Sequence, residues 1–199
     1  LSTLMEIAAG SPEDVEVQPD GKMNLAIQLE TILATAFEQG LADDAIIASS
    51  ETQRQNLWAM REGALNAMQT HGNWVMSDVS FQVADLPGAI ADLKAAFAAV
   101  APGPFCVAFG HMGDGNLHAF ARPYDEDPKN HPEEVAAIKA ALRDTVVKWR
   151  GSISAEHGIG QDKQAEMKKL KDPIAYAMMQ SIKTALDPDN ILNPGKVLL

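Results

Sequence analysis

The 199-residue sequence contains a single cysteine, Cys106, which lies in the apolar run 105–109. A disulfide within the chain is therefore excluded, and the sequence predicts a reducing, cytoplasmic compartment. We interpret Cys106 as a small core residue rather than a nucleophile. The sequence also lacks any run of about 18 apolar residues, which argues against a transmembrane helix.

Positive charge is scarce. The chain has 16 Lys and Arg against 27 Asp and Glu, a formal net charge of −11, and no run of basic residues. This balance argues against nucleic acid or an anionic membrane as the main partner. The glycines near residue 113 do not follow the G-x-G-x-x-G order, which argues against a dinucleotide-binding site. The sequence also contains no H-E-x-x-H, C-x-x-C or P-loop pattern, so the metal, redox and nucleotide sites that these motifs form are not predicted.

Hydrophobic residues make up 46% of the chain, enough for a globular core. Their spacing at three to four residues predicts helices over 24–39, 51–70, 86–100, 135–149 and 174–186. Short apolar segments predict strands over 4–8, 45–48, 75–83, 104–109 and 117–121. Helices alternating with strands and one hairpin indicate an α+β sandwich, with the helices on one face of a mainly antiparallel sheet.

The segment GHMGDGNLH, residues 110–118, is the most informative part of the sequence. Asp114-Gly115 is a favoured pair for a two-residue hairpin turn. A turn centred there would place His111 and His118 opposite each other on neighbouring strands, with Cβ atoms about 5 Å apart. Two imidazoles at that separation are suited to bind one metal ion.

A second polar cluster is AEHGIG, residues 155–160, which contains Glu156 and His157. In an extended segment, neighbouring side chains point to opposite faces, so one of the two would bind a metal while the other faces a substrate. A carboxylate is a suitable ligand for Zn, Mn or Fe, and an imidazole beside a cation suits a general base. Taken alone, the segment fits a polar loop bounded by glycines better than a metal site.

Arg61, in the segment WAMREG, follows Trp58 by three residues and precedes Leu65 by four. The guanidinium therefore lies in register with apolar neighbours on one helical face. A buried charge needs a partner there. A substrate carboxylate, bound through two hydrogen bonds, and a structural carboxylate of the protein both remain open.

Together, GHMGDGNLH, AEHGIG, the W-x-M-R-E-G segment and the tail DPDNILNPGKV resemble the C-terminal domain of FAD-linked oxidases. This family includes enzymes that act on D-lactate, D-2-hydroxyglutarate and glycolate. The resemblance implies a ferredoxin-like core and one substrate, or cap, domain over residues 1–199. It also implies that an FAD-binding domain lies upstream of residue 1.

The resemblance further implies a divalent metal, Zn or Mn, bound by His111, His118 and Glu156. His157 would act as the catalytic base on the substrate hydroxyl. Hydride would leave the substrate Cα for the flavin, so that the flavin performs the redox step and this domain orients the substrate.

The remaining implied roles concern substrate and flavin. Arg61 would bind the substrate carboxylate, and Asn116 would lie close to the substrate. The tail from Asn193 to Lys196 would return toward FAD, which the upstream domain mainly holds. Some members that act on dicarboxylates carry a lysine where this chain has Met76, which favours a smaller or less acidic substrate here.

The sequence therefore predicts the metal-containing domain of an FAD-dependent 2-hydroxy acid dehydrogenase, inactive when isolated, with a homodimer as a further expectation. Two alternatives stay open. One is a stand-alone metal-dependent hydrolase that uses the same histidines and carboxylate to activate water. The other is a non-catalytic module that binds a metabolite or a partner.

Overall fold

The computed structural model describes residues 2–100 and 106–198. The chain divides into two compact units, Leu1–Ala67 and Met68–Leu199. The first unit contains helices α1 (Asn24–Glu38) and α2 (Glu51–Glu62), and none of its described residues is buried.

Helix α2 shows why the predicted helix over 51–70 is divided. Its N-cap is Ser50, whose hydroxyl accepts the Gln53 N–H, and its C-cap is Gly63. A second, short helix, α3, follows over Ala64–Gln69. Glycine is a weak helix former, so the interruption falls at the one glycine of this stretch.

The two strands predicted over 4–8 and 45–48 are wrong, because both segments lack regular secondary structure. Each carries only a few apolar residues. A short apolar run does not by itself distinguish a strand from an irregular segment, and a strand also needs a partner to satisfy its backbone hydrogen bonds.

The second unit is built on a three-stranded antiparallel sheet in the order β1-β3-β2. Its elements, in chain order, are β1 (Asn73–Ser80), α4 (Leu86–Val100), β2 (Cys106–His111), β3 (Asn116–Tyr124), α5 (Pro132–Lys148), α6 (Gln164–Leu170) and α7 (Pro173–Leu186). After α5, Ser152 forms an antiparallel bridge to Ser80, on the free side of β1. This arrangement confirms the predicted α+β class and has the strand order of a ferredoxin-like sandwich.

The sheet has two chemically different faces, because successive side chains of a strand alternate. One face packs against α4 and α5 and forms the hydrophobic core. Its main contributors are Val75, Val79, Leu117, Ala119, Ala121, Leu93, Phe97, Ile138 and Val146. The other face carries Asp78, Asn116 and His118, and the polar cluster described below lies there.

The hairpin register differs from the one that the sequence suggested. His118 pairs with Phe109, and His111 pairs with Asn116, so a four-residue loop joins the strands instead of a two-residue turn. Gly115, with a φ of 74°, closes this loop. His111 and His118 therefore lie on the same face as diagonal neighbours and not directly opposite each other.

Helix α6 is not among the predicted elements, and the last helix, α7, is confirmed over Pro173–Leu186. Its apolar stripe is exposed, at Ile174, Met178, Ile182 and Leu186. The tail after α7 turns repeatedly, with positive φ at Asn193, Gly195 and Val197, and is not extended as the Pro194-Gly195 pair predicts.

Candidate metal centre

Four side chains converge on the open face of the sheet. Asp78, His118, Glu156 and His157 each offer one ligand atom, and these atoms all lie within 4.8 Å of one another. Asp78 and His118 are directly paired across β1 and β3. Glu156 and His157 come from the loop that follows α5.

This loop, residues 150–160, is anchored to the edge of the sheet. The Ser80 N–H donates to the Ser152 carbonyl at 3.1 Å, and the Ser152 N–H donates back at 2.8 Å. A Cβ added at Gly151 would lie 2.5 Å from the Ser80 carbonyl oxygen, so only glycine permits this approach. The anchor holds the next residues of the loop beside Asp78.

Asp78 organises the loop further. Its Oδ2 accepts three consecutive backbone N–H groups, those of Ala155, Glu156 and His157, each at 3.0 Å. Burial raises the pKa of Asp78, but these hydrogen bonds and the nearby His157 outweigh burial, so the pKa is lowered and the carboxylate form is favoured.

The curvature around this carboxylate changes one sequence-based expectation. An extended segment would have placed Glu156 and His157 on opposite faces. Because three successive N–H groups point at one oxygen, the backbone bends instead, and Glu156 Oε1 lies 3.8 Å from His157 Nε2. The two side chains therefore share one site.

His118 links the loop to the sheet. Its Nε2 lies 3.1 Å from Glu156 Oε1, and its Nδ1 lies 3.6 Å from Asp78 Oδ1. The ring stacks on that of His157 at 5.5 Å between centroids and is tilted against Phe109, also at 5.5 Å. These contacts restrict the imidazole to one plane, as a metal ligand requires.

The side chain of Lys163 is hydrogen-bonded to the same loop. The Lys163 ammonium donates to the Ile153 carbonyl at 2.8 Å and lies 3.4 Å from the Asp78 carbonyl. Burial lowers the pKa of Lys163, and the charge of Asp78 acts in the opposite direction. The lysine thus places a positive charge beside a cluster that contains two carboxylates.

The donor set fits a divalent cation. Imidazole and carboxylate groups are ligands for Zn²⁺ and Mn²⁺, and four such groups surround one point here. Two buried acceptors on this face, Asp78 Oδ1 and Asn116 Oδ1, have no hydrogen-bond donor among the described residues. Buried oxygens of this kind are normally satisfied. A proton on His118 Nδ1, 3.6 Å from Asp78 Oδ1, would suit that oxygen and leave His118 Nε2 for a cation.

His111 and Asn116 lie on the same face as the cluster. His111 is exposed at the end of β2 and is not one of the four grouped side chains. Asn116 is buried opposite Ser80, and its N–H donates to Asp114 Oδ1 at 2.9 Å. The predicted roles of His111 in metal binding and of Asn116 in substrate binding stay predictions.

The other predicted residues occupy two different places. Arg61 lies in the last turn of α2, in the first unit, and is partly buried. Asn193 and Lys196 are exposed in the tail, where the Val197 N–H donates to the Gly160 carbonyl at 2.7 Å. This bond places the tail beside the end of the loop. The roles of all three residues stay predictions.

Asp78 is the member of the cluster that sequence reasoning missed. It lies between Ser77 and Val79 in a strand whose other face is apolar and buried. A carboxylate inside such a strand is costly to bury without partners. That cost is the signal in the sequence that could have identified it.

An α+β domain with a histidine–carboxylate cluster on its open sheet face offers a candidate site for a divalent cation. The model of the family "FAD linked oxidases, C-terminal domain" matches residues 15–197. The chain belongs to this family, as the sequence motifs predicted.

Two relatives of this chain share the name D-2-hydroxyglutarate dehydrogenase. The chain is 35% identical to the mitochondrial D-2-hydroxyglutarate dehydrogenase of Arabidopsis thaliana over 92% of its own length and 32% of that protein. It is 35% identical to the D-2-hydroxyglutarate dehydrogenase of Stutzerimonas stutzeri over 84% of its own length and 37% of that protein. The chain thus spans about a third of the length of these curated relatives. Among the described residues, no helix is long and apolar enough to cross a bilayer.

Proposed function

We propose that this chain is the substrate- and metal-binding domain of an FAD-dependent 2-hydroxy acid dehydrogenase. Membership of the family supports a role beside FAD. The observation that carries the proposal is the convergence of His118, Glu156 and His157 at one point on an open sheet face. Such a point is accessible to a small hydroxy acid.

The metal would be held by His118 and Glu156 together with His111, as the family resemblance implies. When bound, the cation lowers the pKa of the substrate hydroxyl, and the flavin accepts the hydride from Cα. The imidazole of His118 and the carboxylate of Glu156 fix the position at which that hydroxyl lies.

His157 would be the base. Its side chain is 52% exposed, so a substrate can reach it, while stacking on His118 fixes its ring. The imidazole takes the hydroxyl proton as the hydride leaves. Because the His157 ring is stacked on the ring of the metal ligand His118, it can receive the proton of the substrate hydroxyl without a large movement.

Arg61 and Asn116 would bind the remaining polar groups of the substrate. A guanidinium binds a carboxylate through two parallel hydrogen bonds, which sets orientation as well as affinity. The Asn116 amide lies two residues before His118 on the same strand face. The tail residues Asn193 and Lys196 would face the flavin.

The direct test is oxidation of 2-hydroxy acids by the complete flavoprotein, with an artificial electron acceptor. D-2-Hydroxyglutarate, D-lactate and glycolate form the substrate panel. We expect turnover with at least one of them, loss of turnover after treatment with a chelator, and recovery with Zn²⁺ or Mn²⁺. Hydrolysis of an ester or amide panel without any hydroxy acid oxidation would support the hydrolase alternative and contradict the proposal.

Met76 is expected to set the substrate preference. It is half-exposed, two residues before Asp78 on the same face, which corresponds to about 7 Å along a strand. We expect Met76→Lys to raise kcat/KM for D-2-hydroxyglutarate relative to D-lactate by about tenfold, because one charge-assisted hydrogen bond contributes about 1.5 kcal/mol or more. Steady-state kinetics on both substrates checks this.

Met178→Lys is the matched control, since Met178 is also exposed but lies on α7. This variant should leave the ratio of the two kcat/KM values unchanged. If the ratio of the two kcat/KM values is the same in Met76→Lys and in the unmodified protein, the side chain at position 76 does not contact the second carboxylate of D-2-hydroxyglutarate.

A cytoplasmic location and a homodimer belong to the same proposal. Several relatives carry the word mitochondrial in their names, whereas the Stutzerimonas protein does not. Cell fractionation tests the location, and light scattering on the purified protein tests the dimer.

A further inference from the structure

The Asp78 carboxylate uses its two oxygens in different ways. The residue is 3% exposed, and its Oδ2 accepts three backbone N–H groups. Its Oδ1 is equally buried and has no hydrogen-bond donor among the described residues. One oxygen is therefore saturated, and the other is left for a neighbouring side chain.

The neighbour of that free oxygen is His118. Its Nδ1 lies 3.6 Å from Asp78 Oδ1, while its Nε2 is turned the other way, 3.1 Å from Glu156 Oε1. Neutral imidazole carries one N–H donor and one lone pair. Both nitrogens of His118 therefore face a carboxylate. When a cation binds Nε2 it takes the place of the proton there, and the one N–H that remains is on Nδ1, directed at Asp78 Oδ1.

The alternative that Asp78 itself binds the cation fits less well. Oδ2 is already occupied by the N–H groups of Ala155, Glu156 and His157. Oδ1 faces the side of His118 that points away from Glu156. A carboxylate that orients a metal-binding histidine through its second nitrogen is a common arrangement outside the ligand set.

We propose that Asp78 is a positioning residue with two tasks at once. Its Oδ2 bends the Ala155–His157 segment so that Glu156 and His157 face one point. Its Oδ1, 3.6 Å from His118 Nδ1, accepts the Nδ1–H when a cation occupies Nε2, and so stabilises the tautomer that binds the cation. This inference rests on the metal site of the proposed function but not on the flavin reaction.

Asp78→Asn separates the two tasks. The amide oxygen can still accept the three backbone N–H groups, so the loop should keep its shape. The amide NH₂ then faces His118 and donates to Nδ1, which moves the imidazole proton to Nε2 and blocks the lone pair needed for metal binding. The substitution conserves size but makes the three hydrogen bonds uncharged and weaker, so the protein should still fold, with a lower thermal unfolding midpoint.

The first measurement is the His118 Nδ1–H signal, by ¹⁵N–¹H NMR on the full 199-residue chain saturated with Zn²⁺. In the unmodified protein we expect a downfield signal that exchanges slowly with water, because the Nδ1–H faces Asp78 Oδ1. In Asp78→Asn the signal should move upfield and exchange faster, and an unchanged signal would overturn the proposal.

The second measurement is the affinity for Zn²⁺ alone, by competition with a chromophoric chelator. We expect a 10- to 100-fold loss in Asp78→Asn, roughly the usual effect of removing such a partner. Asp92→Asn is the control, because that carboxylate accepts hydrogen bonds from Lys148 and Trp149, away from the site. Equal affinity in Asp78→Asn and Asp92→Asn would contradict the positioning role.

The third measurement is the Co²⁺ absorption spectrum, which reports coordination number. We expect the same band pattern in the Asp78→Asn and unmodified complexes at saturation. A change in coordination number would make Asp78 a ligand and overturn the proposal. A complete flavoprotein that does not oxidise hydroxy acids would instead remove the proposed function, and these three readouts would still decide the role of Asp78.

Discussion

Replacing His118 by alanine is expected to remove cation binding at the cluster and to lower turnover of the complete flavoprotein by about 10³-fold. His118 contacts Glu156, pairs with Asp78 and stacks on His157, so its imidazole is the group shared by all members of the site. A bound cation stabilises the developing alkoxide by several kcal/mol, and roughly each 1.4 kcal/mol corresponds to a tenfold change in rate. Metal content per protein and kcat, measured together, check the prediction.

His131→Ala provides the control for this experiment. His131 stacks on Tyr124 and pairs with Glu126, and it precedes α5 rather than joining the cluster. This variant should keep its metal content and its turnover. A His118→Ala protein that keeps both would show that the cation, if present, binds elsewhere.

The second large effect is expected at Gly115, at the end of the loop that precedes β3, the strand that carries His118. Gly115 has a φ of 74°, and an added Cβ would lie 1.9 Å from the Phe81 carbonyl oxygen. That oxygen cannot retreat easily, because the Phe81 N–H is hydrogen-bonded to the Gly115 carbonyl. We expect Gly115→Ala to lower the free energy of unfolding by about 3 kcal/mol, from left-handed backbone strain and overpacking together.

Urea denaturation of the full 199-residue chain measures this effect, and the thermal midpoint should fall by about 6–12 °C for a chain of this size. Gly113→Ala is the matched control in the same loop, since an added Cβ there meets nothing within 4 Å and its φ is not positive. Equal unfolding free energies for the two variants would contradict the close approach of Gly115 to Phe81.

The sequence predicted the elements whose pattern is local. Apolar residues at helical spacing located α1, α4, α5 and α7, and a short apolar segment located β1. The hairpin itself was predicted, but its register was not, because Asp114-Gly115 fits both a two-residue turn and the end of a four-residue loop. Strand pairing, which no short segment encodes, decides between them.

Among the residues of the candidate site, too, those that lie in short sequence motifs were predicted, and the one that depends on distant partners was not. Glu156 and His157 were predicted from one short segment, and His118 from another, and the structure brings these three together. Asp78 was missed because its partners are 77 to 79 residues away along the chain. The spatial relation of such distant positions depends on the order of the strands and on the bridge between Ser80 and Ser152, and a single sequence does not reveal either.

The two-faced sheet has a consequence for how this domain can change over evolutionary time. The residues that hold the fold together, such as Val79 and Leu117, and the residues of the cluster, such as Asp78 and His118, alternate along the same two strands. An exposed side chain on the face of the cluster, such as that of Met76, can therefore be exchanged without disturbing the core on the opposite face. The polar chemistry of this face can in this way change while the thermodynamic stability of the domain stays nearly constant.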